Sequence, residues 1–337
     1  MTQRTVLVTG ATGYIGGLLV PRLLADDWQV RVLSRHPEAL RGKEWADQVE
    51  VFEGSASEAQ DMAGALDGMQ VAYYLLHSMD GGGDFVRRDR EMAHIFADAA
   101  KAAGVQRLVY LSGLHPTGDL SPHLGSRVEV GDILLASGVP TAVLQAGVVL
   151  GDGSASFDML RHLTERLPAV VAPRWLRNRI QPVAIDDVLH YLVRSADLAQ
   201  DVNRTFDIGG PDVLTYAEMM REYARVTGLG SPLIATVPVL TPQLASHWVG
   251  AVTPVSAGIA RPLVGSLIHE AVCDEDDILD FVGEPPGGRM SYDDAIQAAT
   301  SGFDPRGWRH RAYRVVGIVM GVAGLGMLAS GLKRRYR

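Results

Sequence analysis

The feature that most constrains this chain is a short apolar run, Thr5–Thr9 (TVLVT), followed by glycines at positions 10, 13 and 16. Over residues 14–25 that follow, apolar residues recur at helical spacing through Ile15, Leu18, Leu19, Leu23 and Leu24. A buried strand that turns on glycines into a helix leaves the first-turn N–H groups free, with the positive end of the helix dipole behind them. Three glycines alone would say little; in strand–turn–helix context they specify a dinucleotide pyrophosphate cradle. In that arrangement Gly10 makes the tight turn, Gly13 lets the backbone approach the phosphates, and Gly16 lets helix and strand pack closely. Thr12, Tyr14 and Ile15 belong to the same candidate cofactor loop.

The alternation then repeats. Strands are expected at Val30–Leu33, Val49–Phe52, Val71–Leu76, Leu108–Leu111 and Thr141–Leu144, with helices near 37–46, 58–66, 84–103 and 126–137 between them. This pattern predicts an α/β, Rossmann-type doubly wound parallel sheet of six strands in the order 3-2-1-4-5-6. Beyond residue 150 the rhythm loosens. Helices are expected near 154–167, at 185–195 and from Thr215, its N-cap, to about Val226, with a strand at 204–208. Prolines at 232, 238, 242, 254 and 262 predict short helices rather than strands in an apolar 231–270 segment over the ligand cleft. The domains expected are a dinucleotide-binding domain at 1–230, a small, mostly helical capping or substrate region at 231–305, and a membrane anchor at 306–337.

The anchor rests on Val315–Leu332, which has no charged residue and is bracketed by arginines and by Lys333–Arg335. As a helix it would rise roughly 27 Å, near the hydrocarbon thickness of a bilayer. Basic residues on both sides leave its orientation open. Eight Lys or Arg and no acid follow Asp304, so the net charge of −8 divides into −16 before that point and +8 after it. An acidic body opposes nucleic-acid binding. With one cysteine, Cys273, and no charged-then-apolar leader, the expectation is a cytoplasmic body tethered by one C-terminal helix. The histidines show no metal-ligand spacing, and no metal is expected.

The end of the second strand decides which dinucleotide fits. NAD(H) domains place Asp or Glu there to accept from the ribose 2′-hydroxyl. This chain has Ser34 and Arg35, with no acid before Glu38. A guanidinium fork suits a 2′-phosphate, so NADP(H) is favoured over NAD(H), with Arg31 as a second candidate. His77 ends the fourth strand at the sheet edge where ligands bind, and Gly81–Gly83 follow as a loop able to close.

These residues resemble the extended and atypical short-chain dehydrogenase/reductases. Tyr73–Met79 (YYLLHSM), Ser154–Phe157 (SASF) and Ile180–Asp187 (IQPVAIDD) are similar to the bacterial YbjT-type, NmrA-like proteins. The resemblance covers residues 1 to about 270. It implies NAD(P)H binding, and relatives of this kind include the Rossmann accessory subunit of respiratory complex I. In catalytic members a Ser orients the substrate carbonyl, a Tyr moves the proton, and a Lys four residues later lowers the Tyr pKa and holds the nicotinamide ribose. Ser112 matches the Ser. The Tyr–Lys pair is absent, and His123 and Arg127 stand near its place with the same spacing. The catalytic candidates are therefore Ser112, His123 and Arg127, with Ser112 also a cofactor contact.

Two functions follow from these residues. One is a membrane-tethered NADP(H)-dependent oxidoreductase acting on an apolar carbonyl or quinone-like substrate. The other is an NADP(H) sensor or scaffold without turnover, which the missing Tyr and Lys allow. Nucleotide-sugar epimerase or dehydratase chemistry is disfavoured, because it generally also needs the Tyr. The partners expected are the dinucleotide, an apolar small molecule and the membrane, with a homodimer among the options and no nucleic acid.

Overall fold

A computed structural model describes residues 4–77, 84–115, 120–167, 169–237, 265 and 268–305. Its centre is a parallel sheet of β1 (Thr5–Thr9), β2 (Gln29–Ser34), β3 (Glu50–Glu53), β4 (Val71–Tyr74), β5 (Arg107–Gly113), β6 (Thr141–Ala146) and β7 (Arg204–Ile208). The strand order is 3-2-1-4-5-6-7. The first six take the expected order. The run at 204–208 extends the sheet as a seventh strand, with Phe206 opposite Leu144 and Ile208 opposite Ala146.

Alternate residues of the strands feed two cores, because successive side chains in a strand point to opposite faces. Val6, Val8, Tyr73, Val109 and Phe206 pack with helices α1 (Tyr14–Ala25) and, later in the chain, α6 (Ile185–Ser195). Leu7, Ala72, Tyr74, Leu108 and Tyr110 pack on the other face with α2 (Ala59–Leu66), α3 (Phe85–Ala102) and α4 (Pro122–Leu135). The polar groups of these layers are tied down. Tyr73 donates its hydroxyl hydrogen to the Leu192 carbonyl at 2.8 Å, and the buried Thr9 hydroxyl donates to the Tyr73 carbonyl at 2.8 Å.

A third core draws on both sides of residue 230: Phe157, Leu160 and Leu163 of α5 (Ala155–Arg166), Met219, Met220 and Tyr223 of α7 (Tyr216–Val226), and Ile296. Ile296 lies on a later helix, Tyr292–Thr300. The Thr215 expectation holds in full. Its hydroxyl accepts the Glu218 N–H at 3.2 Å while the Glu218 carboxylate accepts the Thr215 N–H at 2.7 Å, a reciprocal capping box. Thr215→Ala is expected to cost about 1 kcal/mol, read as a lowered denaturation midpoint with an unchanged slope.

Two expectations are corrected. Residues Leu233–Val237 form a strand, paired in parallel with Ala169–Pro173, where proline content predicted short helices. The segment 232–237 has a proline only at its first residue, so its N–H groups are free to build a ladder. The rest of the proposed cap, 238–264, lies outside the described residues. The transmembrane helix and the membrane-anchored location are corrected as well. Among the described residues no helix is long and apolar enough to cross a membrane. The longest, α3, carries Arg87, Arg88, Arg90, Glu91, Asp98 and Lys101, charges that belong on a helix facing water on one side. The 315–332 run itself lies outside the described residues.

Candidate functional site

The loop between β1 and α1 has the geometry its glycines predict. Gly10 sits at φ +74°, and a Cβ there would meet the Leu75 carbonyl oxygen at 2.5 Å. A Cβ on Gly16 would lie 2.4 Å from the Gly10 carbonyl oxygen and 2.9 Å from Ala11 Cα. Gly13 is different. Its φ is −76°, and a Cβ would approach only the Gly10 carbonyl oxygen, at 3.2 Å. The Gly13 N–H donates to the Gly10 carbonyl at 3.0 Å, and α1 starts at Tyr14 with neither a side-chain cap nor an acid in its first turn. Free N–H groups at a 12-residue helix and a backbone that tolerates no Cβ fit a pyrophosphate group.

From this loop a cleft follows the carboxyl ends of the strands. One part, a cavity of about 380 Å³, is lined by Gly10, Thr12, Ser34, Arg35, His36 and Ser55, among others. Arg35 is exposed there, and the Ser34 hydroxyl accepts the His36 N–H at 3.2 Å. Arg88 of α3 also lines this cavity, a contributor that no motif announces. Arg31 does not. Its guanidinium donates to the Ala65 and Asp67 carbonyls at 2.9 and 2.8 Å and pairs with Glu50 at 2.9 Å, closing the end of α2. With its guanidinium committed to these partners, Arg31 is not a phosphate contact.

The other part, a cavity of about 300 Å³, shares Leu76 and His77 with the first. Tyr14, Ile15, Leu111, Leu114, Val148, Met159 and Tyr216 give it a largely apolar wall. Ser112, His123 and Arg127 also line it, so the three catalytic candidates, on β5 and α4, meet in one place. Ser112 is buried, with its hydroxyl at the edge of hydrogen-bonding distance, 3.5 Å, from the Arg127 carbonyl. Arg127 donates from Nη2 to the Leu111 carbonyl at 2.6 Å, while its buried Nε has no partner. Ser78 and Gly81–Gly83 lie outside the described residues.

His123 is placed by the start of α4, where the Ser121 hydroxyl accepts the Leu124 N–H at 3.2 Å. Its Nδ1 lies 3.0 Å from Nε2 of His77, with ring centroids 4.5 Å apart. His77 Nδ1 in turn lies 3.3 Å from Oδ2 of Asp89, which also accepts the Ser126 hydroxyl at 3.1 Å. Burial pushes the His123 imidazole down to about 3, with His77 and Arg127 adding to the effect. Burial also lowers His77, against the opposing hydrogen bond that its Nδ1 donates to Asp89. Both rings are neutral near pH 7. Asp89 and Ser126 escape motif-based reading, but periodicity marks them. Asp89 falls on the buried α3 stripe of Ala93, Phe96, Ala97 and Ala100, and Ser126 on the α4 stripe of Val130 and Leu134. A polar residue on an apolar stripe implies a buried partner.

Comparison with known proteins agrees with this geometry. Residues 10–139 match a family described as NAD(P)H-binding. The chain is 28% identical over 246 residues to a ceramide reductase of Caulobacter vibrioides, covering 68% of this chain and 72% of that protein. Its fold is similar to the triphenylmethane reductase of Citrobacter sp. complexed with NADP(H), with TM-score 0.68 at 19% identity over 87% of this chain and 99% of that one. It is also similar to the NADPH-dependent quinone oxidoreductase of Escherichia coli complexed with NADPH, with TM-score 0.66 at 19% identity over 87% and 98%.

Proposed function

We propose that this chain, which carries an NAD(P)H-binding domain and resembles the NmrA-like, atypical short-chain dehydrogenase/reductases, is an NADP(H)-dependent oxidoreductase acting on an apolar carbonyl or quinone-like substrate. The observation that carries this reading is the mostly apolar cavity in which Ser112, His123 and Arg127 converge beside the glycine loop. A few polar groups in an apolar pocket orient a substrate and exclude water from it. The compared proteins, a ceramide reductase, a triphenylmethane reductase and a quinone oxidoreductase, support an apolar substrate. In this reading residues 1–230 bind the dinucleotide and 231–305 contribute to the substrate side.

The residues divide the work as follows. The N–H groups after Gly13, with Gly10, Thr12 and Gly16, hold the pyrophosphate, and Tyr14 and Ile15 wall the nicotinamide side. Ser34 and Arg35 hold a 2′-phosphate. When bound, the reduced cofactor supplies a hydride. Ser112 and His123 face the substrate oxygen, and Arg127, through its free Nε, offers a fixed positive charge beside it. His123 takes the place of the missing Tyr as the group that exchanges a proton.

The test is NADPH consumption by purified full-length protein across a panel of quinones and long-chain carbonyls. Substrate-dependent oxidation is expected, and none across the panel would sink the reading. Tight NADPH binding without turnover would instead favour the sensor or scaffold, the reading that the absent Tyr–Lys pair supports. Cofactor choice has its own test. Charge-assisted hydrogen bonds contribute about 1.5–3 kcal/mol each, so Arg35→Ala is expected to weaken NADPH binding by roughly 10- to 100-fold. NADH binding should be unchanged. Equal losses for both cofactors, read by fluorescence titration, would remove the 2′-phosphate role.

A further inference from the structure

The Ser112–His123–Arg127 cluster accounts for the atoms that face the substrate, but not for the chain of buried groups behind His123. We infer that Asp89, His77 and His123 form a proton relay, in which His77 stores the proton that His123 delivers to the reacting oxygen. This inference rests on the oxidoreductase reading above and extends it to three residues on three elements. Asp89 belongs to α3, His77 follows β4, and His123 opens α4.

The geometry assigns the hydrogens. Asp89 is 3% exposed, and its Oδ2 accepts from His77 Nδ1 and from Ser126. A carboxylate accepts only, so His77 must carry its proton on Nδ1, which leaves Nε2 as a lone pair when the ring is neutral. That lone pair lies 3.0 Å from His123 Nδ1, which therefore carries the hydrogen between the rings. The Nε2 of His123 is left as the free nitrogen of the ring, on the residue that lines the apolar cavity. When one proton is added, His77 is the ring that takes it. Its Nδ1 side faces a carboxylate, whereas His123 faces His77 and Arg127. The phenols of Tyr74 and Tyr110, on the sheet beneath, are kept neutral by burial and add no charge.

In the loaded relay, which is the minor state near pH 7 and grows as pH falls, His77 is an imidazolium, and its Nε2–H points at His123 Nδ1, so the His123 hydrogen sits on Nε2. As a carbonyl is reduced, its carbon gains the hydride from the nicotinamide cofactor and the π pair moves to oxygen. The oxygen takes the proton from His123 Nε2. His123 Nδ1 then takes the proton from His77 Nε2, while the Nδ1–H of His77 stays on Asp89. One proton has left the relay, both rings are neutral, and solvent reloads His77. Asp89 touches neither substrate nor cofactor in this scheme. It is a positioning residue.

The experiment is a long-range ¹⁵N–¹H histidine spectrum of the full-length protein without cofactor, followed from pH 8 to 4. Signals are assigned by their loss in His77→Gln and His123→Gln. The wild type is expected to show Nδ1–H tautomers for both rings at neutral pH and uptake of the first proton at His77. Asp89→Asn should move that titration about one unit or more toward acid. With a turned-over substrate it should also shift the kcat limb the same way and lower kcat on the order of 10²-fold, with KM for NADPH unchanged. Ser126→Ala, which keeps the carboxylate and its charge, should move both readouts by less than Asp89→Asn does. An Nε2–H tautomer on His77 overturns the relay, as does first protonation at His123 or an Asp89→Asn titration identical to wild type. Absent turnover with the expected tautomers and Asp89-dependent titration would instead strike the oxidoreductase reading and leave the coupled proton store in place.

Discussion

Gly16→Val is expected to remove dinucleotide binding and to destabilise the fold at once. Its Cβ would stand 2.4 Å from the Gly10 carbonyl oxygen and 2.8 Å from the Gly10 carbonyl carbon. Those are backbone atoms of the same turn, and they cannot swing aside as a flexible side chain could. Relief requires α1 to lift from β1, where Leu19 and Leu23 are fully buried against the sheet. Forced overpacking of this kind costs about 3 kcal/mol, which corresponds to a fall in melting temperature of roughly 6–12 °C. Gly13→Val separates the two effects. There the new Cβ meets only one oxygen at 3.2 Å in an ordinary backbone conformation. The melting temperature of the apo protein should stay near that of the wild type, while NADPH affinity falls by about 10- to 100-fold through lost N–H contacts to the phosphates. Calorimetry of both variants, with and without NADPH, checks this. A Gly16→Val protein that melts and binds like wild type would remove the cradle.

The second large effect is expected at His123. His123→Gln should lower kcat by on the order of 10²–10⁴-fold, the usual contribution of a positioned acid or base, with NADPH affinity unchanged. An unchanged kcat would return His123 to a structural role. The same variant carries a pH signature. His123 is held at about 3 in the folded protein, against an ordinary histidine value near 6.5 in the unfolded chain. Between those values the unfolded chain binds a proton that the folded protein refuses, so the histidine's presence makes stability fall as pH drops below 6.5. Relative to His123→Gln, the wild type is expected to lose up to about 2 kcal/mol by pH 5. Buried carboxylates such as Glu165 and Asp187, whose pKa values are raised, act with the opposite sign but are common to both proteins and cancel in the difference. Denaturant titrations at pH 7 and pH 5 read it directly.

Much of the fold was legible because its signals are local. An apolar five-residue run before Gly10 is a strand, helical spacing after Gly16 is a helix, and regular alternation leaves a parallel sheet as the solution. Local signals misled where a neighbourhood is mixed. Proline content predicts short helices rather than strands across 231–270, but no proline falls inside Leu233–Val237, and those five residues pair as a strand. The two arginines near the end of β2 differ in sequence only by position. In the folded chain Arg31 closes α2 while Arg35 opens onto the cofactor cavity. Arg31 lies within β2 and is claimed by the neighbouring α2 and β3, whereas Arg35 follows the last residue of the strand, at the sheet edge where the cavity opens.

The amino-acid sequence by itself therefore determined the glycine cradle, the strand order and the absence of an acid that would select NAD(H). Each depends on residues a few positions apart, whose steric and hydrogen-bonding demands are met within one turn or one strand. Only the tertiary structure decided what stands beside the cradle. His77 and His123 are 46 residues apart and Asp89 and Ser126 are 37 apart. They meet because parallel strands bring successive crossovers to one edge of the sheet, which packs α3 against α4 over the end of β4. A carboxylate, two imidazoles and a serine were each unremarkable on their own element. Buried in contact they act on one another, because a low-dielectric setting strengthens every charge and hydrogen bond between them.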